Sequence, residues 1–227
     1  LNQIQIVVSD DGSDDDTFDF VESIRQLYKV KYLRHQQNMG RAHALHRAIK
    51  AADGEFVMIM DSDDYFTKDG VTSVLDAIDS NQSYSAFLFG TTIIKNGIIF
   101  TNIPPAIVNN YISIRADYKF KHDFKEVFRN SVVGVCNFLP PVSCRRVPTS
   151  LILSCIAENY DCLCLPVSVA VKEYLRGGMS DNILMLKTRY ALPMKNLYHG
   201  LSESRKYKSK LSRIKYRLLW ACYSFHS

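Results

Sequence analysis

The sequence predicts an α/β fold, with a mostly parallel sheet covered by helices, a mixed α+β region after it, and a basic helical tail. Runs with strand and helix periodicity alternate over the first 80 residues, which is typical of a parallel sheet with helical crossovers. A hairpin signal and proline pairs interrupt this alternation in the second half. Lys and Arg residues are concentrated near the C-terminus.

The first 80 residues contain three predicted strands, each followed by an amphipathic helix. Helices are assigned where apolar residues recur every three or four positions, and strands where short apolar runs end at turn residues. In chain order the elements are strand 3–8, a helix of about 12 residues over 18–28, strand 30–33, helix 41–52, strand 55–60 and a helix over 71–78. This order favours a parallel sheet covered by helices.

The second half departs from this alternation. Residues 86–90 form a buried apolar run, and Asn96-Gly97 between two apolar segments is a strong hairpin signal. Proline pairs mark loops between residues 102 and 150. We expect a helix over 151–159, a strand over 163–174, and helical or irregular chain after residue 180.

Carboxylates follow two of the predicted strands, at residues 10–16 and 61–64. Because parallel strands share their carboxyl edge, we expect the two turns to lie together. Asp61, Asp63 and Asp64 follow an apolar strand, where carboxylates can hold a hard cation that also binds phosphate oxygens. The implied ligand is a diphosphate bridged by a metal. The alternative is a purely structural turn or helix cap, since Asp and Ser side chains bond nearby backbone.

The composition indicates a globular protein of the cytoplasm. The 227 residues are 47% hydrophobic and 22% charged, which is ordinary for a soluble globular chain. No apolar run approaches the ~20 residues of a membrane span, and no secretory signal is visible. Six irregularly spaced cysteines predict buried, reduced thiols in a cytoplasmic protein. The chain opens on Leu1 and enters a strand almost at once, so we expect it to be incomplete at its N-terminus.

The C-terminal tail is strongly basic. Residues 187–227 hold ten Lys or Arg and one acidic residue, while the rest of the chain is net acidic. Tyr207, Leu211, Ile214 and Leu218 recur at helical spacing among these charges. Such a helix predicts peripheral attachment of residues 203–227 to an anionic membrane surface. The alternative is that the apolar stripe packs on the protein. No nucleic-acid recognition motif accompanies the basic residues.

Four short motifs occur in order over the first 70 residues and together identify a family. They are Val7-Val8-Ser9-Asp10-Asp11-Gly12-Ser13, Asn38-x-Gly40-Arg41, Ala52-x-Gly54-Glu55 and Asp61-Ser62-Asp63-Asp64. Together they resemble family 2 glycosyltransferases with the GT-A fold, inverting enzymes that use nucleotide-diphosphate sugars. The resemblance implies that the family's first strand and helix would lie before Leu1.

The resemblance implies roles for the residues of the first turn and for the first aspartate of the second. Asp11 or Asp10, beside Ser13, would accept a hydrogen bond from a uracil-like base, so the donor is expected to be a UDP-sugar. Asp61 would bond the ribose. These residues, with Arg41, make up the implied nucleotide-sugar site.

The resemblance also implies a metal. Asp63, with Asp64, would ligate Mn²⁺ or Mg²⁺ on the diphosphate, and the metal would neutralise the departing nucleoside diphosphate. Arg41 would add a second positive contact. A solvated surface arginine is the alternative for Arg41.

A second stretch, residues 173–182, is similar to the "EYL.GG.S.N" segment of bacterial enzymes that assemble capsular or exopolysaccharides. An inverting transfer needs a general base. In this branch it is expected after a proline-aromatic loop, but residues 138–148 contain no carboxylate. The base is therefore not identified; the nearest candidates are Glu126, Glu158 and Asp161.

These expectations define a hypothesis and its alternative. A GT-A domain spans 1–182, with a nucleotide-sugar and metal half over 1–100 and an acceptor half over 101–182, and the basic tail spans 183–227. The chain is expected to transfer a sugar to a glycan or lipid-linked acceptor in cell-surface polysaccharide synthesis. The alternative is a non-catalytic or truncated homologue that binds a nucleotide sugar or a partner protein.

Overall fold

The computed structural model describes residues 3–117, 123–133, 145–174 and 190–224. It confirms the α/β class. The proline-aromatic loop over 138–144 and most of the segment similar to polysaccharide enzymes, 175–182, lie outside the described residues.

The N-terminal part is a two-stranded parallel sheet flanked by helices. Strand β1 (Ile6–Asp10) pairs with β2 (Val30–Arg34), from Ile6 opposite Val30 to Asp10 opposite Arg34. Helix α1 (Thr17–Arg25) connects them and buries Val21, and helix α2 (Arg41–Ala51) follows. Both strands therefore end at the same edge, next to the first turn of α2.

The remaining described strands form a second sheet of seven strands. Its order is β3-β8-β5-β9-β4, with β6 beside β5 and β7 beside β9. The elements are β3 (Phe56–Met58), β4 (Asp64–Phe66), α3 (Gly70–Ser80), β5 (Ala86–Lys95), β6 (Ile98–Asn102), β7 (Val108–Asn109), α4 (Tyr111–Asp117), β8 (Lys125–Arg129), α5 (Asn130–Val133), α6 (Thr149–Ala157) and β9 (Cys162–Tyr174).

Five of the six strand pairings in this second sheet are antiparallel, unlike the parallel pairing expected from the sequence. β5 and β9 are parallel, whereas β8 runs antiparallel between β3 and β5, and β4 runs antiparallel to β9. β3 pairs with β8 because Asn130, just after β8, donates its side-chain amide to the carbonyls of Ala52 and Gly54 and its N–H to that of Glu55. These bonds fix the start of a strand of only three residues.

The hairpin predicted at Asn96-Gly97 is confirmed. Both residues have positive φ, 52° and 77°, as a two-residue type I′ turn requires. The two apolar segments before it form one continuous ten-residue strand, β5. That strand alternates between the two faces of the sheet, placing Phe87 and Phe89 against α3 and Leu88 against the opposite core.

The tail packs onto the body of the protein through tyrosines. Helix α7 (Ala191–Glu203) and helix α8 (Lys210–Ser224) contact each other, with the Tyr198 and Tyr216 rings stacked 6.3 Å apart. Tyr207 and Tyr216 join the larger core cluster. Over the described ranges, every helix is too short or too polar to span a bilayer. The division into domains at residue 182 stays a prediction.

The oxidation state of the cysteines differs from the prediction at one position. Cys162 and Cys164 are buried free thiols, and Cys222 is an exposed one. Cys155 is disulfide-bonded, so the prediction of uniformly reduced thiols is wrong there.

Candidate functional site

Asp10 closes the carboxyl end of β1 and is itself buried. Its carboxylate accepts hydrogen bonds from the Ser13 N–H at 2.8 Å and from the Tyr32 hydroxyl, and it lies 3.4 Å from Arg34 Nε. Burial alone would raise the pKa of Asp10, but these hydrogen bonds and the Arg34 charge hold it below its usual value. Asp10 therefore shapes the turn, whereas Ser13 lies on its partly exposed rim.

Asp11 joins the first acidic turn to the loop before α2. Its Oδ1 accepts from the Met39 N–H at 2.8 Å, and its Oδ2 accepts from the Gly40 N–H at 2.7 Å. His35 Nδ1 lies 2.9 Å from Oδ1. The side chain is 21% exposed, so it remains reachable at the mouth of the turn.

Gly40 is needed where α2 begins. Its φ is 96°, and a Cβ there would lie 2.5 Å from the Cβ and carbonyl oxygen of Arg145. The Ala42 N–H donates to that same carbonyl at 3.1 Å. The close approach brings the Arg145–Arg146 segment against the first turn of α2.

Arg41, next to Gly40, reaches the second acidic turn. Its Nη2 lies 2.6 Å and its Nε 3.2 Å from Asp61 Oδ1. The side chain is 29% exposed, so the alternative of a solvated surface arginine is wrong. The Gly40 N–H is hydrogen-bonded to Asp11, and the Arg41 side chain is paired with Asp61. Two consecutive residues therefore connect the two acidic turns, which the sequence predicted would lie together.

Lys172, at the carboxyl end of β9, completes the surroundings of Asp61. Its Nζ lies 3.5 Å from Asp61 Oδ2 and 3.6 Å from Asp123 Oδ2, and the Tyr174 hydroxyl donates to Asp123. Burial favours a higher pKa for Asp61, but the charges of Arg41 and Lys172 lower it. Conversely, burial would lower the pKa of Lys172, and the nearby aspartates, Asp123 first, raise it. Asp61 is therefore ionised and paired on both oxygens.

Asp64 lies in strand β4 and forms a buried ion pair. Its Oδ2 is 2.5 Å from Lys125 Nζ, with side-chain exposures of 0% and 7%. Its Oδ1 is buried without a hydrogen-bond partner. The ion pair with Lys125 accounts for the burial of this carboxylate, because a charge in the core needs an opposite charge beside it. The expected metal role for Asp64 thus lacks support in this geometry.

The turn fits a divalent metal only in part. The described residues contain no group of three or more His, Cys, Asp or Glu that could hold a metal ion. Asp61 and Asp64 are paired with cations, whereas Asp63 is exposed and makes no hydrogen bond or ion pair within the described chain. Asp63 is therefore the one carboxylate of the turn left for a metal.

Within the described ranges, none of the candidate bases makes a hydrogen bond or ion pair with the two acidic turns. Glu126 lies opposite Leu88 on the face of β8 that Lys125 does not share, beside a small cavity lined by Tyr111 and Ile156. Burial raises the pKa of Glu126 to about 7.

Glu158 and Asp161 precede β9, whereas Lys172 is near its end. At about 3.3 Å per residue they lie roughly 30 Å from the site. This placement does not support Glu158 or Asp161 as the base.

Sequence reasoning found Arg41 but missed two other cations near the site, Lys172 and Arg146, and one carboxylate, Asp123. Lys172 meets Asp61 because β9 pairs with β4 and β5, a topology that no local pattern reveals, and Asp123 is linked to the site through Lys172. Arg146 is partly buried, and burial and the nearby Arg41 charge lower its pKa, while Asp61 raises it. A charged residue near the end of an otherwise apolar strand was the available signal for Lys172.

The chain belongs to glycosyl transferase family 2, whose model matches residues 1–131. Among its relatives is the UDP-Glc:alpha-D-GlcNAc-diphosphoundecaprenol beta-1,3-glucosyltransferase WfaP of Escherichia coli, 26% identical over 107 residues, or 46% of this chain and 41% of WfaP. The poly(ribitol-phosphate) beta-N-acetylglucosaminyltransferase TarS of Staphylococcus aureus is 35% identical over 82 residues, 36% of this chain and 14% of TarS.

Solved structures agree on the fold. Residues 1–349 of S. aureus TarS in complex with UDP-GlcNAc superpose with a TM-score of 0.68 at 17% identity, covering 98% of this chain and 63% of that one. This confirms the expected GT-A fold. The chain spans less than two thirds of that structure and less than half of WfaP and TarS.

Proposed function

We propose that this chain binds a nucleotide-diphosphate sugar, with UDP as the nucleotide, and transfers the sugar with inversion to a glycan or lipid-linked acceptor in bacterial cell-surface polysaccharide synthesis. The observation that supports this most is the joining of the two acidic turns through Gly40 and Arg41. The UDP-GlcNAc complex of TarS and the UDP-glucose donor in the name of WfaP support the donor class.

Each group then has a distinct task. Asp11 and Ser13, at the mouth of the first turn, receive the base, and Asp61 accepts a hydrogen bond from the ribose. Arg41, held by its ion pair with Asp61, contacts the diphosphate and stabilises the charge that develops on the leaving group. Asp10 acts indirectly, by holding the turn through Ser13 and Tyr32.

A metal remains part of the proposal, held by Asp63. Mn²⁺ or Mg²⁺ there would draw its other ligands from diphosphate oxygens and would neutralise leaving-group charge. We expect Mn²⁺ to raise the affinity for UDP in the wild type and not in Asp63→Ala, measured by calorimetry. An equal effect of Mn²⁺ in both proteins would remove Asp63 from the site.

The transfer also requires a base, and among the residues that the structure describes Asp123 is a carboxylate outside the two turns that is linked to the site. Its side chain is 56% exposed and connects to Asp61 through Lys172.

The alternative function, a non-catalytic member that binds nucleotide sugar, is favoured by the distant placement of Glu158 and Asp161. Transfer or hydrolysis with a panel of UDP-sugars separates the two: Asp123→Asn should abolish turnover and leave the affinity for UDP in place.

Arg41 tests the binding site itself. Arg41→Met should weaken UDP binding about tenfold or more, because a charge-assisted contact is lost. Lys50→Met, an exposed change near the end of the same helix, is the control and should bind UDP as the wild type does. Equal UDP affinity in the two variants would contradict the proposed site.

The tail supports a location at the cytoplasmic face of a membrane. Leu211, Ile214 and Leu218 are 78%, 56% and 62% exposed on α8, although Tyr207 of the same predicted stripe is buried. Lys and Arg residues flank them. An exposed apolar stripe with basic neighbours suits an anionic bilayer. Replacing the three residues by Ser should abolish co-sedimentation with vesicles rich in phosphatidylserine; undiminished binding would exclude this surface.

A further inference from the structure

Asp123, two residues before β8, has one carboxylate oxygen held in place and the other open. The Tyr174 hydroxyl donates to its Oδ2 at 3.1 Å, and Lys172 Nζ lies 3.6 Å from the same oxygen. Among the residues that the structure describes, Oδ1 has no hydrogen-bond or ion-pair partner. Because the side chain is 56% exposed, Oδ1 can be reached by a second molecule.

The backbone of Asp123 is also fixed. The side-chain amide of Asn102, at the end of β6, donates to the Asp123 carbonyl at 3.1 Å. Asn102 is itself buried, and the residue after Asp123, Phe124, is 3% exposed in the larger core. Asp123 is therefore anchored to the sheet through its own backbone and through its neighbour.

Tyr174, the last residue of β9, is held in turn by two lysines. It lies opposite Lys95 of β5, and the Lys95 and Lys172 ammonium groups are 5.7 and 5.8 Å from the centre of its ring. Cations at this distance are attracted to the face of an aromatic ring. Burial and the nearby Asp123 charge raise the pKa of Tyr174 to about 12, so its phenol stays protonated and donates to Asp123.

A general base is served by one fixed and one open oxygen. The base takes the proton of the attacking hydroxyl as the hydroxyl oxygen bonds to the anomeric carbon of the sugar. The bond from that carbon to the UDP oxygen breaks, and its electron pair leaves with UDP. Catalytic bases are commonly oriented by a third group that is hydrogen-bonded to them. The Tyr174 hydroxyl makes a hydrogen bond of this kind to Asp123.

Lys172 connects the same carboxylate to the nucleotide side of the site. Its Nζ lies 3.6 Å from Asp123 Oδ2 and 3.5 Å from Asp61 Oδ2. A single ammonium group therefore spans both carboxylates. Asp123 thus lies near the residue that binds the ribose in the proposed function.

We propose that Tyr174 is a positioning residue for the base: together with Lys172 it holds Asp123 Oδ2, so that Asp123 Oδ1 is presented to the acceptor hydroxyl. The inference rests on the proposed function and deepens it, because it adds the group that orients the base. Tyr174 acts through Asp123, so its loss should slow the chemical step and leave nucleotide binding in place.

Release of UDP from UDP-GlcNAc and UDP-glucose by the full chain, with water as the acceptor, tests this role. Tyr174→Phe keeps the ring and removes only the hydroxyl. We expect kcat to fall about tenfold or more, with the KM for the donor and the calorimetric affinity for UDP unchanged. Tyr28→Phe is the matched control, because Tyr28 is 41% exposed and precedes β2 at the opposite end from the site; it should turn over as the wild type does.

Asn102→Ala provides a second variant, because it frees the Asp123 carbonyl without changing Tyr174. It should also lower kcat and leave the affinity for UDP unchanged. Thermal unfolding verifies that each variant is folded, and Asn102→Ala keeps the test decisive if Tyr174→Phe is not.

The outcomes separate the inference from the proposed function. A kcat within about twofold of the wild type in Tyr174→Phe overturns the positioning role and leaves the proposed function standing. A higher donor KM at unchanged kcat also overturns it, because Tyr174 would then act in donor binding. A wild-type chain that binds UDP but releases none from either donor overturns the proposed transfer, and the inference with it.

Discussion

At the scale of single residues, the surrounding structure constrains two positions in ways that the residue type alone does not predict. Gly40 is required by its positive φ and by the backbone of Arg145, which leaves no room for a side chain. Glu126 is a carboxyl group in the core, and burial raises its pKa to about 7. Gly40 holds the connection between the two acidic turns.

Gly40→Ala should be strongly destabilising, by about 3 kcal/mol or more, because left-handed strain adds to a steric clash. Gly97→Ala is the matched control: its φ is 77°, but nothing lies within 4 Å, so only the strain of about 1 kcal/mol applies. Urea unfolding of both variants measures the difference. Equal losses would mean that the Arg145 segment does not pack against Gly40.

Glu126→Gln should change how stability depends on pH. A folded-state pKa of about 7, well above the usual range of a glutamate, makes this side chain favour the folded state at low pH and oppose it as pH rises toward 7. Between pH 5 and 8 the wild type should therefore lose about 2 to 3 kcal/mol relative to Glu126→Gln. Parallel pH dependence of the two unfolding free energies would contradict a buried Glu126.

At the scale of elements, the sequence predicted the strands and helices that have their own periodicity and missed those made by distant pairing. β4 exists because Asp64–Phe66 pairs with β9, about a hundred residues later. The first residue of β8 is Lys125, and a lysine is normally exposed. Its burial is explained only by the ion pair with Asp64. The acidic turns were predictable because each follows its own strand. Arg41 was also predictable, but Lys172 was not, because strand order decides which strand ends meet.

The Lys125–Asp64 ion pair tests whether distant strand pairing brings these two residues together in the core. Lys125→Met should destabilise the protein by about 3 to 5 kcal/mol, since it leaves a buried carboxylate without a partner. Adding Asp64→Asn should recover part of that loss. Arg25→Met, which breaks the exposed pair with Glu22, should change stability by less than about 1 kcal/mol. Additive effects of Lys125→Met and Asp64→Asn would argue against the buried pair.

At the scale of the whole molecule, the basic tail and the sheet share a core. Tyr216 of α8 and Tyr207 are buried with residues of α4 and α6. Asp117, at the end of α4, accepts from the Lys208 and Ser209 N–H groups. The tail is thus tied to the body by packing and by hydrogen bonds, while its outer stripe stays exposed.

Tyr216→Ala should destabilise the whole described fold by about 3 kcal/mol, with one cooperative unfolding transition, because it empties a site shared by tail and body. Leu218→Ala, at a position 62% exposed, should alter stability by no more than about 0.5 kcal/mol. Two separate transitions in the wild type would show instead that the tail folds independently.

The central claim is that the two acidic turns, with Arg41 between them, form one nucleotide-diphosphate site. A crystal structure of the protein with UDP tests it most directly. We predict uracil against the turn of Asp10–Ser13 and diphosphate oxygens about 3 Å from Arg41 Nη1. UDP bound away from Asp61, or with its diphosphate turned away from Arg41, would contradict it.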